Sequence, residues 1–178
     1  MELIKLDAAD RHFLEQVRKA METYFAADIR RITHAHEVTV HARNLLQYID
    51  ADPVLTLAAT YLHDIGIPEA ERKFCRCDGK LQEQEGPAVA RELLTATGAT
   101  ELFIDNVCQL VGHHHTPCGI DSPEFRILWD ADALVNLAEV VGSKENSVIE
   151  SILNKALVTE PGYRMAQEIY LMPGKTSG

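Results

Sequence analysis

The chain has 178 residues, of which 46% are hydrophobic and 25% charged, and a formal net charge of −10 at pH 7. That length suits one domain, residues 1–178, able to bury a core, and so negative a charge leaves no broad basic footprint for duplex nucleic acid or an anionic membrane. Four cysteines are too few for a disulfide scaffold of this size and are expected as reduced thiols in a cytoplasmic protein.

Met1 to Asp10 carries acidic residues and lacks the apolar run of a signal peptide. No later stretch approaches the ~20 apolar residues of a membrane-spanning helix. Asp10 to Ala26 reads as an amphipathic helix, with Phe13, Val17, Met21, Tyr24 and Phe25 at helical spacing and His12 on its surface. Asp28 is a good N-cap for a second helix running to about Ile49. Its apolar stripe is Val38, Ala42, Leu45 and Ile49, and His34 extends that stripe toward the N-terminus. His36 falls on the polar side. His41 lies about 10 Å along the axis from His34, too far to share one ion with it. A lone histidine on an apolar stripe is ordinarily a satisfied core residue, but His34 is the best placed of the three to be a ligand.

Asp52-Pro53 pairs an N-cap with proline at the first helical position. The helix from Val54 to Asp64 is apolar nearly all round and should be central. It ends in His63-Asp64, followed by Gly66 and Pro68. Adjacent side chains diverge by about 100° on a helix, yet at a helix end both can lean on one small object. Imidazole nitrogen and carboxylate oxygen are both good ligands for a divalent metal. A buried carboxylate there needs a partner or an ion.

Glu69 to Lys80 reads as a loop or ragged helix with Arg72, Lys73, Arg76 and Lys80 close together. Such clusters are usually solvated surface. Following the His63-Asp64 pair in an acidic chain, this one would attract a phosphorylated substrate. Cys75 and Cys77 have the wrong spacing for a zinc knuckle. Glu83 to Thr97 is another helix, stopped by Gly98, with Glu83 and Glu85 in its first turn, where acids complement the helix dipole. Thr100 caps a helix from Glu101 to about His114, and His113-His114-His115 at its end offer an imidazole in any direction. Ser122-Pro123 opens a helix through Phe125, Leu128, Leu134 and Leu137. Asp130 and Asp132 sit mid-helix among apolar residues, which is costly unless they are paired or metal-bound. Periodicity does not choose between them. Ser143 caps a helix to about Leu157, and a last helix, about Gly162 to Leu171, follows Pro161. Nothing alternates with period two, so the fold class expected is all-α, a compact bundle of about six to eight helices.

Together these residues resemble the HD-domain superfamily of metal-dependent phosphohydrolases. The likeness rests on Arg31-Ile32-Thr33-His34 with Val38 and Ala42, on Tyr61-Leu62-His63-Asp64-Ile65-Gly66, and on Ile127-Leu128-Trp129-Asp130-Ala131-Asp132-Ala133-Leu134. The resemblance implies an HD-domain-like bundle in which His34, His63, Asp64 and Asp132 bind a divalent ion. Asp132 is preferred because it fits the family's A-D-x-L pattern, leaving Asp130 to support the ligands or the fold. Mn, Zn, Fe, Ni, Co and Mg are not distinguished. His113 and His114 resemble the extra histidines of members that hold two metals. Those members supply a further histidine after the HD pair, and Ile65 to Gly112 contains none; Glu83 or Glu85 would have to stand in. The Lys or Glu that many members carry just after the pair is also missing, and Ile67-Pro68-Glu69 stands there.

The expected function is a metal-dependent hydrolase of a phosphomonoester or nucleotide. A metal-activated water would attack phosphorus, Asp64 and Asp132 would serve catalysis, and the basic cluster would clamp phosphate oxygens. The alternatives are a diiron oxygenase of the HD type and a non-catalytic nucleotide-binding member. The expected partner is a small phosphorylated substrate, and a homodimer is compatible with the sequence.

Overall fold

The computed structural model describes residues 4–172, and among these every regular element is an α-helix. Nine helices follow one another: α1 (Ala8–Phe25), α2 (Ile29–Leu45), α3 (Pro53–Leu62), α4 (Ile67–Phe74), α5 (Gly79–Ala96), α6 (Glu101–Val111), α7 (Pro123–Val141), α8 (Asn146–Ala156) and α9 (Glu160–Tyr170). The all-α expectation is met. The stretch read as loop or ragged helix holds the short α4. No described helix is long and apolar enough to cross a membrane.

α3 is the axis of the molecule. Asp52 caps it by accepting from the backbone N–H groups of Val54 and Leu55, and Pro53 occupies the first helical position. Thr56 through Leu62 are all buried, so α3 packs on α1, α2, α6 and α7 at once. Its buried hydroxyls are satisfied locally: Thr56 donates to Asp52 O, and Thr60 to Leu57 O. α2 lies along α7, and α5 along α6. Together they enclose a core that includes Met21, Leu45, Leu57, Leu62, Ile104 and Leu128.

Several boundaries differ from the sequence reading, each because a different residue makes the cap. α1 begins earlier, where Asp7 and Asp10 form a reciprocal capping box. α5 begins at Gly79, so Glu83 and Glu85 lie in its second turn rather than at its dipole-complementing end. Glu145, not Ser143, stands at the N-cap of α8. Thr159 caps α9, accepting from Gly162 N, so that helix starts at Glu160.

Candidate metal centre

Three helices bring four side chains to one point. His34 comes from the second turn of α2, His63 and Asp64 from the end of α3, and Asp132 from the middle of α7. His34 Nε2 lies 3.2 Å from His63 Nε2, 3.0 Å from Asp132 Oδ1 and 3.5 Å from Asp64 Oδ2. His63 Nε2 is 3.5 Å from both carboxylates. His63 Nδ1 is 2.8 Å from Thr60 O, so Nδ1–H donates there and Nε2 turns its lone pair inward. Asn136, one turn beyond Asp132, donates from Nδ2 to Asp132 Oδ1 at 2.9 Å and fixes that carboxylate. Lone pairs converging this closely require a positive charge among them, either a proton or a metal ion.

The electrostatics agree. Burial opposes charge on His63, but the Asp64 and Asp132 carboxylates outweigh it and raise the imidazole to about 9. Burial likewise opposes ionisation of Asp64, while His63 and His114 overcome it and lower the group to about 2. Asp132 is also held well below the usual carboxylate range, against its burial, by His34 and His63. Because the folded His63 is raised above the ordinary ~6.5, its contribution to the stability of the metal-free protein is full below that value. The contribution is lost as pH rises through about 9. A metal ion needs the neutral ring, so binding near pH 7.5 should release about one proton from His63 per ion, falling toward none by about pH 10. Calorimetric titration in two buffers of different ionisation enthalpy measures this, and equal heats near pH 7.5 would mean that the ring is already neutral there.

A second group adjoins the first. Asp64, His114 and His115 also hold ligand atoms within 4.8 Å of one another. His114 is buried, and its Nδ1 lies 2.7 Å from Val111 O. Its Nε2 is buried with no hydrogen-bond partner and faces Asp64 Oδ1 at 3.5 Å. Such an orphaned nitrogen beside a carboxylate is what a ligand set without its ion presents. Asp64 therefore turns one oxygen toward each group. The other residues assigned to a second ion lie elsewhere. His113 is outside the group, with Nδ1 against Gln109 O. Glu85 is buried on Lys73. Glu83 accepts from His115 N at 2.9 Å and from the Thr116 hydroxyl at 2.8 Å, so it holds the histidine turn in place. His115 was not singled out by sequence, because three consecutive histidines leave the choice to the turn geometry. That geometry depends on Glu83 and on Gln82, whose Oε1 lies 3.0 Å from His115 Nε2.

A cavity of about 760 Å³ opens onto the first group. Arg72, Lys73, Arg76 and Lys80, expected to clamp phosphate, do not line it. Away from the cavity, Arg72 is paired with Glu69, Lys73 with Glu85 and Arg76 with Asp78. The cations on the cavity wall are Arg30 and Arg31, at the start of α2. Cys77 also lines it, whereas Cys75 is exposed, and neither belongs to a ligand group among the described residues.

Asp130 is separate from the centre. Fully buried, it accepts from Val158 N at 2.8 Å and Thr159 N at 2.9 Å and from the Thr159 hydroxyl, tying α7 to the α8–α9 junction. Burial nevertheless leaves its carboxyl above the usual range. Asp130→Ala should cost about 3 kcal/mol, since two backbone donors lose their acceptor, and should leave the metal content of the folded protein unchanged. Denaturant titration and elemental analysis separate the two effects.

A sequence profile described as HD domain matches residues 31–137, well over half of the chain. No curated protein matches it. Among solved structures, the chain is similar to the crystal structure of a predicted HD superfamily hydrolase from an uncultured Thermotogales bacterium. The two share 28% identity and a TM-score of 0.61, over 91% of this chain and 85% of that one.

Proposed function

The chain belongs to the HD-domain family of metal-dependent hydrolases, and on that premise we propose that it hydrolyses a phosphomonoester or nucleotide. The observation that carries this reading is the convergence of His34, His63, Asp64 and Asp132, from three helices, beside an open cavity. His34, His63, Asp64 and Asp132 would hold a divalent ion, and Asp64, His114 and His115 would hold a second. A divalent ion there supplies a bound water of lowered pKa and a Lewis acid for a phosphoryl oxygen. Thr60 keeps His63 in the ligating tautomer, and Asn136 keeps Asp132 aimed inward. Asp64 and Asp132 would serve the reaction by holding that ion, since carboxyls held below the usual range are weak bases.

Arg31 is the phosphate clamp in this reading. It projects into the cavity one turn before His34 and is held in place by Asp28 at 2.7 Å and Glu71 at 2.6 Å, with guanidinium donors to spare. Arg31→Ala is expected to raise KM for phosphoesters about tenfold or more, while Arg72→Ala leaves it unchanged. Steady-state kinetics on both variants tests the pair, and the reverse pattern would return the clamp to the 72–80 cluster. The function itself is tested by elemental analysis of the purified protein, followed by a phosphoester panel with several divalent ions. Metal-loaded protein that turns over none of them overturns it.

The second donor group around Asp64 favours one other reading, an HD-type diiron oxygenase. Two irons per chain with a mixed-valent electron-spin signal would select it.

A further inference from the structure

The cavity at the metal centre does not end there. A second, mostly apolar groove of about 570 Å³ lies along α2, α7 and the end of α9. The two share the walls Thr33, Glu37, Val135 and Ala138, so they adjoin there and together make a trough along α2. Beyond those four residues the groove is lined by His36, Val40 and His41 from α2, Leu134 from α7, and Ile169 and Tyr170 from α9. His34 to His41 is seven residues on one helix, so the trough runs about 10 Å from the centre to its far end.

Three features of the trough select a ligand. Val40 and Ile169 are 56% and 40% exposed, an apolar surface left open to water next to a polar centre. His41 Nδ1 is buried without a hydrogen-bond partner. Burial also keeps that ring from taking a charge, so it adds no cation to the groove. On the cavity side Asp28 and Glu139 pair with Arg31 and Arg30, and Glu37 adds a further carboxylate, so no cation beyond those two lines the wall for a second or third phosphate.

We propose that this groove is the subsite for the apolar body of the substrate, so that the protein acts on monophosphate esters of long apolar alcohols in preference to short polar ones. The inference rests on the phosphohydrolase reading for its phosphate end, and the walls shared by cavity and groove place the body. Each methylene that enters the groove adds to binding by up to about fourfold.

The test is calorimetric binding of ethyl-, butyl-, hexyl- and octylphosphonate to the full metal-loaded chain. Phosphonates are used because their carbon–phosphorus bond is not hydrolysed as an ester is. The dissociation constant should fall about two- to fourfold per methylene. Ile169→Glu should flatten that dependence while leaving ethylphosphonate binding unchanged, since Ile169 lies outside the centre. Equal affinity for ethyl- and octylphosphonate overturns the proposal, as does an unchanged chain-length dependence in Ile169→Glu. The groove could instead be covered by a second copy of the chain. Octylphosphonate would then gain nothing, and Ile169→Glu would convert a dimer to a monomer in sedimentation, which also overturns it. Failure of the phosphohydrolase reading looks different: no phosphoester is turned over, whatever the phosphonates do.

Discussion

Replacing His63 with alanine is expected to strip the centre of its metal and to lower turnover by at least about 10³-fold, since an ion contributes several kcal/mol of charge stabilisation and each ~1.4 kcal/mol is tenfold in rate. Asp64→Ala should do the same and, because Asp64 faces both groups, should empty the second as well. The reasons are local. His63 is 1% exposed, its Nδ1 is committed to Thr60 O, and its Nε2 stands beside His34 and Asp132 in the first group. The bundle should survive, because the packing around α3 comes from Leu57, Leu62 and Ile65, which the substitutions leave in place. Elemental analysis, circular dichroism and steady-state rates on each variant are the measurements. A helical spectrum with metal and turnover both lost is the expected result. Wild-type turnover in either variant would remove these residues from the chemistry.

Gly66→Ala should be strongly destabilising. Gly66 sits at the turn that follows His63-Asp64, and a Cβ there would lie 2.5 Å from Gly86 N and 2.9 Å from Gly86 Cα, both backbone atoms of α5. Backbone cannot step aside as a side-chain end can, so α5 and the α3–α4 turn must part. An overpacked core of this kind costs about 3 kcal/mol, which for a chain of this size lowers Tm by about 6–12 °C. Separation of α5 also disturbs the Gln82 and Glu83 contacts to His115, so the second donor group should loosen along with the fold. A thermal melt and the metal count per chain test this. An unchanged Tm would mean the close approach is not maintained in solution.

The fold class and the core of the site were readable in the residues. Val38, Ala42 and Leu45 form the buried stripe expected of α2, and α3 is buried from Thr56 to Leu62, as an all-round apolar helix must be. Asp130 and Asp132, both buried on α7, had to have partners, and they do. Periodicity could not say which partners, because that depends on residues 28 and 98 positions away in sequence. Only the assembled bundle turned Asp130 to the α8–α9 junction and Asp132 to His34. The basic cluster is the instructive case. Arg72, Lys73 and Arg76 are close together in sequence, but they pair with Glu69, Glu85 and Asp78 outside the cavity, which takes its cations from α2 instead. His115 and the apolar trough depended likewise on how the chain packs. Sequence determined which side chains could not be buried alone. Tertiary structure decided which of them meet, because pairing energies fall off within a few ångströms and only packed helices bring distant residues that close.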